Sequence, residues 1–238
     1  MANLRRSDDT DRFVTLIRTG RSHCNPPPDR LYVRPDREVP VSEVSATPPR
    51  RTAAQRLREV ARDLFYRQGI RATGVEELCR VAGTTKISLY RAFPSKDELV
   101  ACILRDDCDQ EAAWYRDALG PATPPRERPA AYLAAAVAEL RQPGFRGCSL
   151  GLAIAEFPDP EHPARKVADN FKRGLREALR RVSAEAGAAD PAMLGDTLMM
   201  LTEGAFSSAA SLGAGEAADA LERAGQQLLA AALPAEGG

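Results

Sequence analysis

The stretch from Thr73 to Leu99, TGVEELCRVAGTTKISLYRAFPSKDEL, constrains the fold of this chain more than any other. It sets two short helices, the turn between them and the start of a third. Thr73 with Glu76 reads as a capping box, the hydroxyl accepting from the backbone NH three residues on and the carboxylate reaching back. Val75, Leu78, Cys79 and Ala82 follow at helical spacing. Gly83 ends that helix, because glycine takes the left-handed conformation at little cost. Thr84 and Thr85 are alternative N-cap candidates for the next helix, which runs to about Ala92 and stops ahead of Pro94. Ser95 with Glu98 is a second capping box and opens a third helix. The order is helix, tight glycine turn, short helix, the helix-turn-helix pattern. At about 100° per residue, Lys86, Ile87, Tyr90 and Arg91 fall on one side of the middle helix, and Thr85, Leu89 and Ala92 on the other. The second set is expected to pack inward and leave the first exposed. A helix this short, basic and aromatic outside and apolar inside, suits insertion into a nucleic-acid groove.

Upstream, between Thr52 and Gln68, the residues Leu57, Val60, Ala61, Leu64 and Phe65 recur at helical spacing, with Gly69 as the stop. The three helices predict a small core of Leu57, Val60, Leu64, Phe65, Ile70, Val75, Leu78, Leu89 and Phe93. Three amphipathic helices with glycine turns also occur in domains that bind no DNA, so the geometry alone leaves both readings open. Charge leans toward DNA: residues 51–100 carry ten Lys and Arg against six Asp and Glu, in a chain of net charge +0. That asymmetry suits one phosphate-facing module in a protein not generally attracted to polyanions.

The segment LFYRQGIRATGVEELCRVAGTTKISLYRAFPSKDEL closely resembles the DNA-binding domain of TetR-family transcriptional regulators. The matching residues are Phe65, Gly69, Ile70, Ala72, Thr73, Ala82, Gly83, Lys86, Leu89, Tyr90, Phe93, Ser95 and Lys96. The resemblance implies an all-α protein, with a three-helix helix-turn-helix domain followed by a helical ligand-binding and dimerisation domain. It implies that Thr73 caps the second helix and touches a phosphate, and that Thr84 and Thr85 enter the major groove or meet its rim. Lys86, Tyr90 and Arg91 would contact phosphates and base edges, and Lys96 a backbone phosphate. Phosphate contacts set register and base contacts set sequence. Arg91 has the two-pronged donor pattern that reads guanine. Two positions depart from the usual pattern: Ile87 where a small residue is common, and Arg91 where His is common. Ile87 would meet a thymine methyl or sit at the groove edge. Both departures bear on sequence preference and not on docking.

Three regions follow: residues 1–49 as a disordered extension, 50–110 as the DNA-binding domain with its helix-turn-helix at 74–93, and 111–234 as the ligand-binding and dimerisation domain. The first is rich in proline, at positions 26, 27, 28, 35, 40, 48 and 49, and shows no clear apolar period. Alternatively translation starts near Val41 or Val44. The remainder reads as helices at about 96–118, 128–141, 162–186, 191–211 and 216–232, with a buried apolar segment from Cys148 to Phe157. The last two helices carry more apolar surface than one helix pair hides, including Met193, Leu194, Leu198, Met199, Leu201, Phe206, Leu221, Leu228 and Leu229. With the resemblance, this points to a homodimer presenting two recognition helices about one DNA turn apart, ~34–36 Å.

No run of about 20 apolar residues is present to span a membrane, and the N-terminus lacks the apolar run of a secretory signal. Five cysteines without paired spacing suit a cytoplasmic setting. His23 and His162 are the only histidines, and neither forms a catalytic or metal-binding arrangement with neighbours. No enzyme activity and no cofactor are expected. Cys148 is a candidate redox sensor, though the sequence shows no neighbouring base or cation arranged to activate it. The expected function is a sequence-specific, ligand-responsive repressor bound to a double-stranded operator. The alternative is a ligand-independent architectural DNA-binding protein of the same fold. Candidate residues for the effector pocket are Trp114, Tyr132, Phe145, Phe157, Phe171 and Met199.

Overall fold

The computed structural model describes residues 51–233 of the chain, and the extension expected at 1–49 lies outside the described residues. Helix α1 spans Ala53–Gln68. It opens on a full capping box: Thr52 Oγ1 accepts from Gln55 N at 3.2 Å, and Thr52 N donates to Gln55 Oε1 at 2.8 Å. It ends at Gly69, whose φ of 98° few other residues adopt. Helix α2 spans Val75–Val81, and its N-cap is Gly74, which offers no side-chain cap. The box expected at Thr73 is therefore absent. Thr73 is fully buried and its hydroxyl donates to Gly69 O at 2.8 Å, closing the turn that leaves α1.

Helix α2 ends in a Schellman motif, with Thr84 N donating to Cys79 O at 2.9 Å and Gly83 N to Arg80 O at 3.4 Å. Helix α3, Lys86–Ala92, is capped by Thr85, which accepts from Ser88 N. Helix α4, Lys96–Leu119, is capped by Ser95, which accepts from Glu98 N at 3.1 Å. Only this half of the second box forms, and the Glu98 carboxylate lies 3.9 Å from Arg105 instead.

A 3-10 turn, Pro125–Glu127, leads into α5, Arg128–Leu140. Then follow α6, Ser149–Glu156; α7, Pro163–Glu185; α8, Pro191–Leu212; and α9, Ala214–Ala232. His162 caps α7, its Nδ1 accepting from Ala164 N at 3.2 Å. No strand occurs among the described residues, and no helix there is long and apolar enough to cross a membrane.

Apolar burial runs unbroken from Leu57 in α1 to Leu221 in α9. In the three-helix unit Leu57, Phe65, Ile70, Leu78, Leu89 and Phe93 are buried, with Val60, Leu64 and Val75 partly buried against them. Helix α4 passes without a break from that unit into the C-terminal helices, burying Leu99 and Ile103 near its start and Tyr115 and Leu119 near its end. Two glycines allow close approaches there. A Cβ on Gly195 of α8 would stand 2.5 Å from Arg180 N of α7, and one on Gly225 of α9 would stand 2.5 Å from a Leu133 methyl of α5.

Candidate nucleic-acid interface and adjoining cavity

Within helix α3 one side chain is buried. Leu89 is fully buried, while Ile87 on the outer side is 72% exposed and Tyr90 51% exposed. Thr85, Lys86 and Arg91 are exposed beside them, and Thr84 is half-buried. Thr85 and Ala92, expected to pack inward with Leu89, are both exposed. In a helix of two turns, Leu89 and the following Phe93 are enough to anchor the inner side, and the Thr85 hydroxyl is occupied at the cap. The orientation of α3 is fixed through the turn before it. Arg56 of α1 donates from Nε to Ala82 O at 3.1 Å and from its other guanidinium nitrogens to Arg51 O and Gly83 O.

Lys86 Nζ lies 2.6 Å from Glu76 Oε1 of α2. The hydrogen bond between them holds the Glu76 carboxyl below its ordinary pKa and the Lys86 ammonium above its own. Lys96 turns partly inward: its ammonium donates to Ile70 O and stands 5.7 Å over the Phe65 ring. Burial lowers its pKa, against the opposing effect of Asp97 and Glu156. Of the eight residues singled out for DNA, six from Thr84 to Arg91 gather on α3 and its N-cap, Lys96 stands at the α4 start, and Thr73 has no exposed surface.

Residues 57–103 match the family described as bacterial regulatory proteins, tetR family. The chain is 40% identical over 72 residues to the HTH-type transcriptional repressor KstR2 of Mycobacterium tuberculosis, a match covering 30% of this chain and 36% of that repressor. It thus spans about a third of the length of these curated relatives. Over the fold it is similar to SCO4454, a TetR-family transcriptional regulator from Streptomyces coelicolor, with a TM-score of 0.72 at 27% identity over 76% of this chain and 96% of that one. It is also 35% identical to the TetR-type regulator sav143 of Streptomyces avermitilis, covering 76% of this chain and 98% of that one, with a TM-score of 0.64. The chain belongs to the TetR family.

In this TetR-family chain a cavity of about 1120 Å³ lies beneath the DNA-binding unit, walled by α1, α4, α5, the segment 142–149, α6 and Phe206 of α8. Of the aromatic and Met residues singled out for a pocket, Trp114 and Phe145 line it, and Phe145 meets Phe206 with ring centroids 5.1 Å apart. The other four stand outside its wall. Tyr132 is fully buried and stacks on Tyr115 at 5.2 Å; Phe157 stacks on His162 at 3.8 Å; Phe171 is buried in the core and Met199 packs at its margin. Tyr66, Glu111, Glu139 and Phe206 are also in the wall, and none of them is among the residues expected there from the sequence. Cys148 also reaches the wall, and a cation is beside it after all: Lys172 Nζ of α7 lies 3.2 Å from Cys148 Sγ and 2.5 Å from Glu203 Oε1. The Cys148 thiol in turn points to Glu111 Oε1 at 3.5 Å. Burial pushes that thiol up to about 12, and Glu111 adds to the rise while Lys172 opposes it, so Cys148 carries its proton.

The cavity adjoins the contacts that join the two halves of the protein. Tyr66 at the end of α1 donates to Gly147 O at 3.0 Å and accepts from Arg146 N at 2.7 Å. The Arg146 guanidinium donates to the carbonyls of Tyr66 and Arg67. Glu156 at the end of α6 accepts from Ile70 N at 2.8 Å and Arg71 N at 2.7 Å, in the turn that leads to α2.

Proposed function

We propose that this chain is a sequence-specific DNA-binding transcriptional regulator, a cytoplasmic homodimer acting as a ligand-responsive repressor. One observation carries the reading: on a two-turn helix pinned by Leu89, the large apolar and aromatic side chains Ile87 and Tyr90 stand in solvent beside Lys86 and Arg91. A folded protein exposes such a face for a partner, and its chemistry fits the edges and backbone of a duplex. Thr84, Thr85, Lys86, Ile87, Tyr90 and Arg91 form the contact set. Lys96 joins at the edge, since an ammonium has three donors and Ile70 O takes one. Repression is supported by the similarity of the DNA-binding segment to KstR2, a transcriptional repressor.

Dimerisation is supported by α8, whose outward side exposes Met193, Met200, Gly204, Ser207 and Ser211 without a charged residue among them. Small residues there let a second helix pair approach closely. Ligand response, rather than a purely architectural role, is supported by the cavity lying against Tyr66 and Glu156, which tie it to the helix-turn-helix. A ligand acts there only if it binds one spacing of the two recognition helices better than another. The test is a gel shift on the DNA upstream of the gene, comparing the native chain with the double variant Lys86→Ala, Tyr90→Ala. The variant should lose binding while remaining a dimer; unchanged binding contradicts the assignment of α3.

A further inference from the structure

Charge in the cavity wall is one-sided. Six carboxylates reach it, from Glu59, Asp63, Asp107, Glu111, Glu139 and Glu156, against the single cation Arg62. Four of the six are accounted for within the protein. Glu59 pairs with Arg51, Asp63 with Arg67 at 2.7 Å, and Asp107 with Arg62 at 2.9 Å. Glu156 accepts from two backbone NH groups. Two carboxylates remain, on facing helices: Glu111 of α4 and Glu139 of α5.

Glu111 Oε2 is sealed from water and has no hydrogen-bond partner, and Oε1 meets only the weak donor of Cys148. Lys172 acts on Glu111 electrostatically, but the same ammonium is held by Cys148 and Glu203. No ion pair joins a cation to Glu139 among the described residues, and its burial raises its pKa. One lysine shared between Glu111 and Glu203, beside a Glu139 without an ion pair, leaves these carboxylates short of positive charge, which is costly where they are withdrawn from water; a bound cation would supply it. The rest of the wall fits. Trp114, Tyr66, Phe145 and Phe206 line the same space, and aromatic rings attract cations through their quadrupole and cover apolar surface as well.

We infer that the effector is an organic cation, an amine or onium group on a bulky apolar or aromatic body, held by Glu111 and Glu139 within the aromatic wall. This rests on the reading of the cavity as the effector site and names its ligand class. An anion or a fatty acid would meet the same two carboxylates as repulsion.

Isothermal titration of the full-length chain with tetraphenylphosphonium and tetraphenylborate tests it, because the two ions share shape and size and differ in sign. The phosphonium should bind and the borate should not. The double variant Glu111→Gln, Glu139→Gln should weaken the phosphonium at least ten-fold, with a native circular dichroism spectrum. Trp114→Ala should also weaken it, which separates ring contact from general electrostatic attraction. Equal binding of both ions, preference for the borate, no binding of either, or a phosphonium affinity unaffected by the double variant overturns the proposal. Release of DNA is read separately. Phosphonium binding that depends on the two glutamates but leaves DNA affinity unchanged upholds the cation site and contradicts the ligand-responsive reading.

Discussion

On the proposed DNA face Lys86 already has a partner in place, since its ammonium lies 2.6 Å from the Glu76 carboxylate. Both side chains are well exposed, so the pair contributes little to stability, but its carboxylate stands where phosphates would come. Replacing Glu76 by Gln should tighten DNA binding about two- to five-fold, the scale of an exposed ion pair, in an anisotropy titration at fixed salt. Lys86→Ala should act in the opposite direction and lower the slope of log affinity against log salt by about one. Arg91→Ala should cost about 1–3 kcal/mol and relax specificity at one base position, if its fork reads guanine. A different prediction concerns Glu111. Burial raises its carboxyl from 4.5 to about 7, with Lys172 and Cys148 opposing the rise and Glu203 and Asp107 adding to it. Between those values the folded state holds a proton that the unfolded chain releases. Its contribution is therefore present below about 4.5 and is lost as pH rises through about 7. The melting temperature of Glu111→Gln relative to the native chain should rise between pH 5 and 8, as thermal melts in matched buffers would show.

Among the elements, the turn between α2 and α3 decides where the recognition helix points. Gly83 has φ 59° with no atom within 4 Å of a built Cβ, so Gly83→Ala meets backbone strain and no clash. It should lower stability by about 1 kcal/mol, read as a shift in the urea midpoint with unchanged slope. Such turns were legible in the sequence because their information is local. A glycine stop or a side-chain cap acts within four residues, and the expected helix at 128–141 is found at 128–140. Thr73 misled because a Thr three residues before a Glu suits a capping box and a turn-closing hydroxyl equally well, and only the position of Gly69 O distinguishes them. The cavity was less legible. Helical spacing places Tyr132 and Trp114 alike on apolar faces, but which of them borders an empty space depends on how α4, α5 and the 142–149 segment meet. The Lys172–Cys148 contact and the Glu156 clamp on Ile70 join residues 24 and 86 apart in sequence, and no spacing rule relates them.

At the scale of the whole molecule, the contacts of Tyr66 and Glu156 join the helix-turn-helix unit to the cavity wall. Glu156→Ala leaves the NH of buried Ile70 without its acceptor, at about 1–3 kcal/mol. With ligand at saturation the variant should loosen DNA less than the native chain does, measured as the ratio of DNA affinities with and without ligand. Met200, 74% exposed on α8, belongs to the proposed dimer face. Met200→Glu should shift the protein toward monomer in sedimentation velocity and weaken DNA binding with it, since two recognition helices act together on one site. The most direct test of the account is selection of duplexes from a random pool by the full-length chain, run in parallel with the Lys86→Ala, Tyr90→Ala variant. The native chain should enrich a near-palindrome whose half-sites lie about one helical turn apart, and the variant should enrich nothing. No enrichment by the native chain, or the same palindrome enriched by both, would contradict it.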